Sequence, residues 1–219
     1  MKPSVPKCSQ RFAEFINLVG IPRIIMQSRK ITKIYFDLKY KKRDPYGIYK
    51  HAYDTRYKDM LTLIGPRRFH RALDIGCGEG MFSAMLLDRC NYVEGIDISK
   101  SAIVRARKEF RGISALSFFH SDALKLNSFN KYDLLVLAEF LYYLNKHQLK
   151  KFIDELAHGV ASDTYLLVGN IKRISSNSGL LRSHLTATEI MDYLLDAKRF
   201  EVITEVDRGN DILYFLKAL

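Results

Sequence analysis

Seven residues, Asp74-Ile-Gly-Cys-Gly-Glu-Gly80, restrict this 219-residue chain more than any others. An apolar run over residues 72–75 leads into glycines at 76, 78 and 80. Glycine accepts positive φ and lets backbone approach a ligand closely. The pattern therefore predicts a buried strand, a tight turn and then a helix over 81–89. A second apolar run, Tyr92-Val-Glu-Gly-Ile-Asp97, ends in a carboxylate 19 residues beyond Gly78. In a βαβ unit, an acidic residue about 20 positions past the glycines reaches ribose hydroxyls. The glycines alone would also suit a bare strand-to-helix turn. Together with Asp97 they predict an α/β domain that holds an adenosine-containing cofactor.

The spacing narrows the choice of cofactor. A dinucleotide fingerprint is G-x-G-x-x-G, whose helix N-terminus cradles a pyrophosphate. Here the third glycine comes one residue early, and Glu79 stands among the glycines. A carboxylate there repels a pyrophosphate and suits a ligand with a cationic end. S-adenosylmethionine carries both an ammonium and a sulfonium. Asp74, Glu79 and the loop carbonyls are candidate acceptors for that ammonium.

On these residues the chain resembles the class I S-adenosylmethionine-dependent methyltransferases. The likeness continues through Leu116-Ser-Phe-Phe119 and His120-Ser-Asp122-Ala123, a third strand followed by an acidic residue that, in the family, reaches the adenine amino group. It continues again through a fourth strand, Tyr132-Asp133-Leu-Leu-Val-Leu137, with Ala138-Glu139-Phe-Leu-Tyr142-Tyr143-Leu at its carboxyl end. A narrower likeness rests on Asp44-Pro45-Tyr46, Tyr53-x-x-Arg56 with Met60-Leu61, the Glu139 segment, and Ser183-His184-Leu before the last helix. These are similar to the rhizobial nodulation methyltransferases, which N-methylate the free amine of a chito-oligosaccharide. That family typically has Trp where Tyr46 stands, so stacking there is altered.

The likeness covers roughly residues 44–219. It implies a Rossmann-like, seven-stranded, mostly parallel sheet with helices on both faces and a C-terminal antiparallel hairpin. It also implies a cofactor site formed by Tyr46, Arg56, Asp74, Gly76, Cys77, Gly78, Gly80, Asp97, Ile98, Asp122, Ala123 and Glu139. Arg56 suits the cofactor carboxylate because a guanidinium fork binds a carboxylate bidentately.

Composition adds bounds. An apolar fraction of 47% with 27% charged residues describes an ordinary globular domain. Cysteines 8, 77 and 90 form neither a C-x-x-C pair nor a zinc spacing, so a reducing, cytoplasmic setting and no metal are expected. No apolar run reaches the roughly 18–20 residues of a membrane span. Charge is lopsided: residues 1–45 hold 11 Lys/Arg against 3 Asp/Glu, most of the formal +11. We read residues 1–43 as a basic arm and 44–219 as the methyltransferase domain. The arm has two amphipathic stretches, around 12–19 and over 23–33. Either they cap the core, or they touch a nucleic acid, an anionic membrane surface or a partner. Six tyrosines at 35, 40, 46, 49, 53 and 57 suggest an aromatic lid.

Further elements follow by period and cap. Residues 99–110 predict a helix capped by Ser99, and 146–159 another. Residues 164–169 predict a strand, 172–182 a loop, and 186–198 a helix opened by a Thr186/Glu189 capping box. Strands over 200–206 and 211–216 flank Asp-Arg-Gly-Asn, a hairpin signal.

Methyl transfer to an amine needs a neutral nucleophile, so a base helps. His184, matching the family's Ser/Gly-His position, and Glu139, at the tip of the fourth strand, are the candidates. His120 reads as structural, and the other histidines as surface groups. The expected activity is methyl transfer to an amine, or a hydroxyl, of a small molecule such as an amino-sugar. The alternative is an RNA or protein methyltransferase docking through the arm. Absence of a Pro-Cys pair argues against a cysteine-nucleophile cytosine methylase. Ala-Glu-Phe-Leu after the fourth strand, instead of Asn/Asp-Pro-Pro-aromatic, argues against methylation of base amino groups or glutamine amides. A non-catalytic cofactor-binding protein is a third reading.

Overall fold

Leu134, Leu135, Val136 and Leu137 are each completely buried. Four consecutive buried residues require a strand covered on both faces, as in the middle of a parallel sheet with helices on either side. The computed structural model describes residues 28–41, 56–172, 185–209 and 211–219. It places these four in β4 (Leu134–Ala138), between β1 (Phe69–Ile75) and β5 (Tyr165–Ile171). The other strands are β2 (Cys90–Asp97), β3 (Leu116–His120), β6 (Phe200–Asp207) and β7 (Asp211–Ala218). The order across the sheet is β3-β2-β1-β4-β5-β7-β6. Strands β1 to β5 pair in parallel, and β7 pairs antiparallel with both β5 and β6. The expected seven-stranded sheet with its terminal hairpin is therefore present.

Helices cover both faces. On one lie α2 (Arg56–Ile64), α3 (Met81–Met85) and α4 (Lys100–Glu109), whose Met60, Ile64, Phe82, Ile103 and Ala106 pack with Ala72, Leu134 and Leu213. On the other lie α5 (Lys146–Gly159) and α6 (Ala187–Asp196), whose Leu149, Phe152, Ile153 and Ile190 pack with Leu135, Leu137, Leu166 and Val168. The chain runs outward from β1 to β3 and returns to β4, so order reverses between β1 and β4. Ligands of open α/β sheets bind in the crevice at that reversal, outside the carboxyl ends of the strands.

Helix α1 (Arg29–Lys39) rests on α4. Its Tyr35 and Phe36, and Tyr40 just beyond, are buried with Ala102, and Phe36 meets the Tyr143 ring edge-on at 4.9 Å. Asp37 accepts from the Ser99 hydroxyl at 3.0 Å and from the Ser101 N–H at 2.9 Å. It thus serves an N–H that helix geometry leaves without a partner. The helix lies on the arm side of the expected boundary at 43/44, yet it is docked on the domain. It also starts and ends later than the predicted 23–33 stretch; residues 23–27 lie outside the described residues, as does the 12–19 stretch.

Two local features depart from the simple pattern. The predicted 81–89 helix closes after Met85 and continues as a tighter 3-10 turn, Leu86–Asp88, before β2. The hairpin carries a register shift between Val202 and Thr204 on the edge strand. Ser99 caps α4 through Ala102, and the Thr186/Glu189 box opens α6, as expected. An Asn145/Gln148 box on α5 is an addition. Among the described residues no helix is long and apolar enough to cross a membrane.

Gly80 has φ 83°, and a Cβ there would run into the Phe118 ring. A left-handed non-glycine residue costs about 1–2 kcal/mol and overpacking about 1–3 kcal/mol more. Gly80→Ala is therefore expected to lower the unfolding free energy by about 2–5 kcal/mol in a urea titration. An unchanged midpoint would contradict this packing.

Candidate active site

The glycine loop is held by the end of β2. The N–H groups of Gly76 and Cys77 both donate to the Ile96 carbonyl, at 2.8 and 3.0 Å. Gly78 N–H donates to Asp97 Oδ2 at 3.0 Å, and Ser99 N–H donates to Asp97 Oδ1 at 2.7 Å. Gly78 needs its φ of 55°, and a Cβ there would stand 2.6 Å from the Tyr40 hydroxyl. Gly76, Cys77, Gly78, Gly80, Asp74 and Asp97 thus converge at the carboxyl ends of β1 and β2, as the spacing predicted. Ile98 follows, half-buried, its carbonyl 3.1 Å from His120 Nε2. That contact ties the ends of β2 and β3 and gives His120 a structural place.

Asp74 and Asp97 are buried, and neither has an ion-pair partner among the described residues. Asp74 accepts from the Ser83 hydroxyl at 2.5 Å, a residue on α3 that sequence reasoning did not single out. Burial pushes the Asp74 carboxyl up to about 7, against the pull of the Ser83 bond. Burial pushes Asp97 up to about 6, against the Ser99 and Gly78 amides. Burial, with Asp74 and Asp97 nearby, also drives the Cys77 thiol well above its ordinary value, so it is not a ready nucleophile.

Other site carboxylates already have cations. Glu79 lies 2.6 Å from Arg105 Nη1 on α4, so it is matched within the protein and is not a free acceptor for a ligand ammonium. Asp122 opens the 3-10 turn Ala123–Lys125 and takes the Leu124 N–H at 3.0 Å. Arg29 of α1 forks onto both of its oxygens. Burial works to raise Asp122, but the Arg29 bond and charge hold its carboxyl below the usual value. Ala123, the first residue of that turn, is buried in the core cluster with Leu73 and Ile96.

At the tip of β4, Glu139 sits at φ 62°, a conformation unusual outside glycine. Its Oε1 pairs with Arg56, and its Oε2 accepts from the Tyr142 hydroxyl at 2.7 Å. Arg56 also stands 3.3 Å from Asp211 on β7, which Arg208 binds in turn. Arg56 is therefore already between two carboxylates, and would have to share itself to take a ligand carboxylate. Asp211 gave no signal in the sequence beyond its place after a turn. Tyr46 and His184 lie outside the described residues, as do Tyr49, Tyr53, His51 and most of the 172–182 loop. Tyr35 and Tyr40 are in the α1–α4 contact, and Tyr57 packs on Phe82 at 5.1 Å. His70, His147 and His158 are exposed, as expected.

A glycine loop tied to the β2 carboxylate, in a sheet ordered 3-2-1-4-5-7-6, defines a class I S-adenosylmethionine-dependent methyltransferase. The family described as Nodulation protein S (NodS) matches residues 31–208, and the chain belongs to that family. It is 27% identical over 178 residues to Nodulation protein S of Rhizobium tropici, covering 78% of this chain and 74% of that protein. It is 26% identical over 172 residues to the Sinorhizobium fredii protein of the same name, covering 77% and 78%. The crystal structure of N-methyltransferase NodS from Bradyrhizobium japonicum WM9, in complex with S-adenosyl-L-homocysteine, has the same fold. Its TM-score is 0.74 at 22% identity, over 85% of this chain and 98% of that one.

The raised carboxyls have a consequence for stability. An acid whose folded pKa exceeds its unfolded value of about 3.8 favours the folded state at low pH. That contribution is lost as pH climbs through the folded value. For Asp74 the window runs from about 4 to about 7. Asp74→Asn is therefore expected to gain stability relative to the intact chain between pH 5 and pH 8 in urea unfolding. A pH-independent difference would contradict the burial of a titrating Asp74.

Proposed function

We propose that this enzyme methylates an amine on a small acceptor, an amino-sugar, with S-adenosylmethionine as donor. The observation that carries the cofactor part is the pair of buried carboxylates, Asp74 and Asp97, that have no cation partner among the described residues, beside backbone that admits no Cβ at Gly78. Burying uncompensated negative charge is costly, and a cationic ligand relieves that cost. A pyrophosphate would add to it.

In this reading Asp97 takes the ribose hydroxyls. Asp74 and the loop carbonyls take the ammonium end. Ile98, Asp122 and Ala123 border the adenine. Tyr46 stacks beside the ligand, and Arg56 shares the ligand carboxylate with Glu139 and Asp211. The cofactor supplies a methyl group on a sulfonium, and the nucleophile has to be held in line about 3–3.5 Å away. Orientation of this kind can supply roughly 7–11 kcal/mol of the barrier. Glu139, fixed by Arg56 and Tyr142 at the strand tip, is placed to hold the acceptor or its proton. A carboxylate accepts about four hydrogen bonds, and two here are taken. His184 is the second candidate base.

Membership of the NodS family and the Ala-Glu-Phe-Leu segment after β4 support a small-molecule acceptor. In this reading the accessory arm ends before α1, which is docked on the domain. The free Cys77 and Cys90 support a reducing, cytoplasmic setting.

The test is transfer of a radiolabelled methyl group by the full chain to a glucosamine tetramer, its N-acetylated counterpart and total RNA. Label on the free amine and none on the acetylated sugar is the expected result. Label on RNA that falls steeply with salt would replace this reading with the basic-arm one.

A further inference from the structure

Asn170 is completely buried, and neither its Oδ1 nor its Nδ2 has a hydrogen-bond partner. Among the described residues it is the one buried side chain whose polar atoms are all in that state. Native structures rarely leave a buried amide unpaired, because its lost hydration is not replaced. Its backbone is not at fault: Asn170 pairs with Ile212 in the β5–β7 ladder. The unmet demand belongs to the side chain alone.

Its place in the fold says what could meet that demand. The β4–β5 register ends with Ala138 opposite Gly169, and Glu139 N–H donates to the Gly169 carbonyl at 2.9 Å. Asn170 is therefore the next residue outward on β5, one strand across from Glu139, at the carboxyl end where α/β sheets bind ligands. Side chains alternate along a strand. A Cβ on Gly169 would come 3.0 Å from Arg56 Nη2, which puts Arg56 on one face of the tip. Asn170 takes the other face, following Leu166 and Val168, which pack in the same cluster as Leu141, Tyr142 and Leu185. Arg56, Glu139 and Asn170 thus surround the β4–β5 tip from two faces. Arg56 and Glu139 are bonded to each other through Arg56 Nη2, although Arg56 Nε also lacks a hydrogen-bond partner, whereas both polar atoms of the Asn170 side chain are left over.

We propose that Asn170 is an acceptor-binding residue, which recognises a neutral hydroxyl or acetamide of the molecule being methylated. The proposal rests on the small-molecule reading above. A primary amide offers two donors and an acceptor oxygen, so its natural complement is a group that both donates and accepts. A hydroxyl and an acetamide do so, whereas an ammonium, a carboxylate or a phosphate offers one role only. A site that hydrogen-bonds such a group discriminates strongly against analogues lacking it.

The experiment uses the full chain, Asn170→Leu, which keeps the branching and removes the polar atoms, and Asn170→Asp, which keeps acceptors and removes donors. Three quantities are read: kcat and KM for a glucosamine tetramer, the affinity for S-adenosylhomocysteine by calorimetry, and the Tm of the ligand-free protein. For both variants, kcat/KM is expected to fall about ten- to a hundredfold, mainly through KM, with cofactor affinity within about twofold. The Tm of Asn170→Leu is expected to stay level or rise, because no internal hydrogen bond is lost. Unchanged kcat/KM overturns the proposal. So does a Tm of Asn170→Leu lower by more than about 5 °C, which would show that the amide serves the fold. If the intact chain does not methylate the tetramer, the amino-sugar reading fails on its own. The Tm then decides on Asn170: a value within about 5 °C of the intact chain's, or above it, supports an amide kept for a ligand, and a larger drop overturns it.

Discussion

The carboxylate of Asp97 joins the two halves of the cofactor crevice. One oxygen holds the Gly78 N–H of the loop after β1, and the other holds the Ser99 N–H that starts α4. Through Gly78, the loop lies tight against Tyr40 and hence against α1. Through Ser99, α4 begins where Asp37 of α1 can reach its hydroxyl and the N–H of Ser101. A single buried anion therefore sets the loop, the start of the next helix and the seat of the N-terminal helix. Loss of charge-assisted bonds of this kind is worth about 1.5–3 kcal/mol each, which is why one side chain can organise so much.

The charges around this anion fall into two groups. Glu79, Asp122 and Glu139 each meet an arginine: Arg105, Arg29 and Arg56. Among the described residues, Asp74 and Asp97 meet a hydroxyl and two amides and no cation. Three of these carboxylates are thus paired with arginines, and two buried ones have no cation among the described residues. The Arg105 pairing explains why Glu79 is less available to a ligand than its place among the glycines suggests. The tie between Arg29 and Asp122 adds that α1 is joined to the turn after β3, so the carboxyl end of that strand and the N-terminal helix are linked.

The elements were legible in the sequence wherever periodicity and chemistry agreed. Leu134 to Leu137 read as part of the fourth strand through the likeness to the methyltransferases, and Ser99 and Thr186 announced their helices by cap chemistry. Only residues 29–33 of α1 fall in the stretch read from the sequence; the helix runs on to Lys39 with charge-interrupted periodicity, packed against α4. Pairings across the chain were not legible. Arg29 and Asp122 are 93 residues apart, and Arg56 and Glu139 are 83 apart; nothing local links them. Asn170 was hidden for another reason. A polar residue at the end of an apolar strand looks like the strand's exit to solvent, and only the sheet order shows that β7 and the surrounding core bury it.

The most direct measurement is a calorimetric titration of S-adenosylhomocysteine into the intact chain and into Asp97→Ala. If Asp97 both builds the loop and binds the ribose, the intact chain binds one equivalent and the variant binds about ten- to a hundredfold more weakly. Equal affinity in the two proteins, or no binding to the folded intact chain, would contradict the assignment of this crevice to the cofactor.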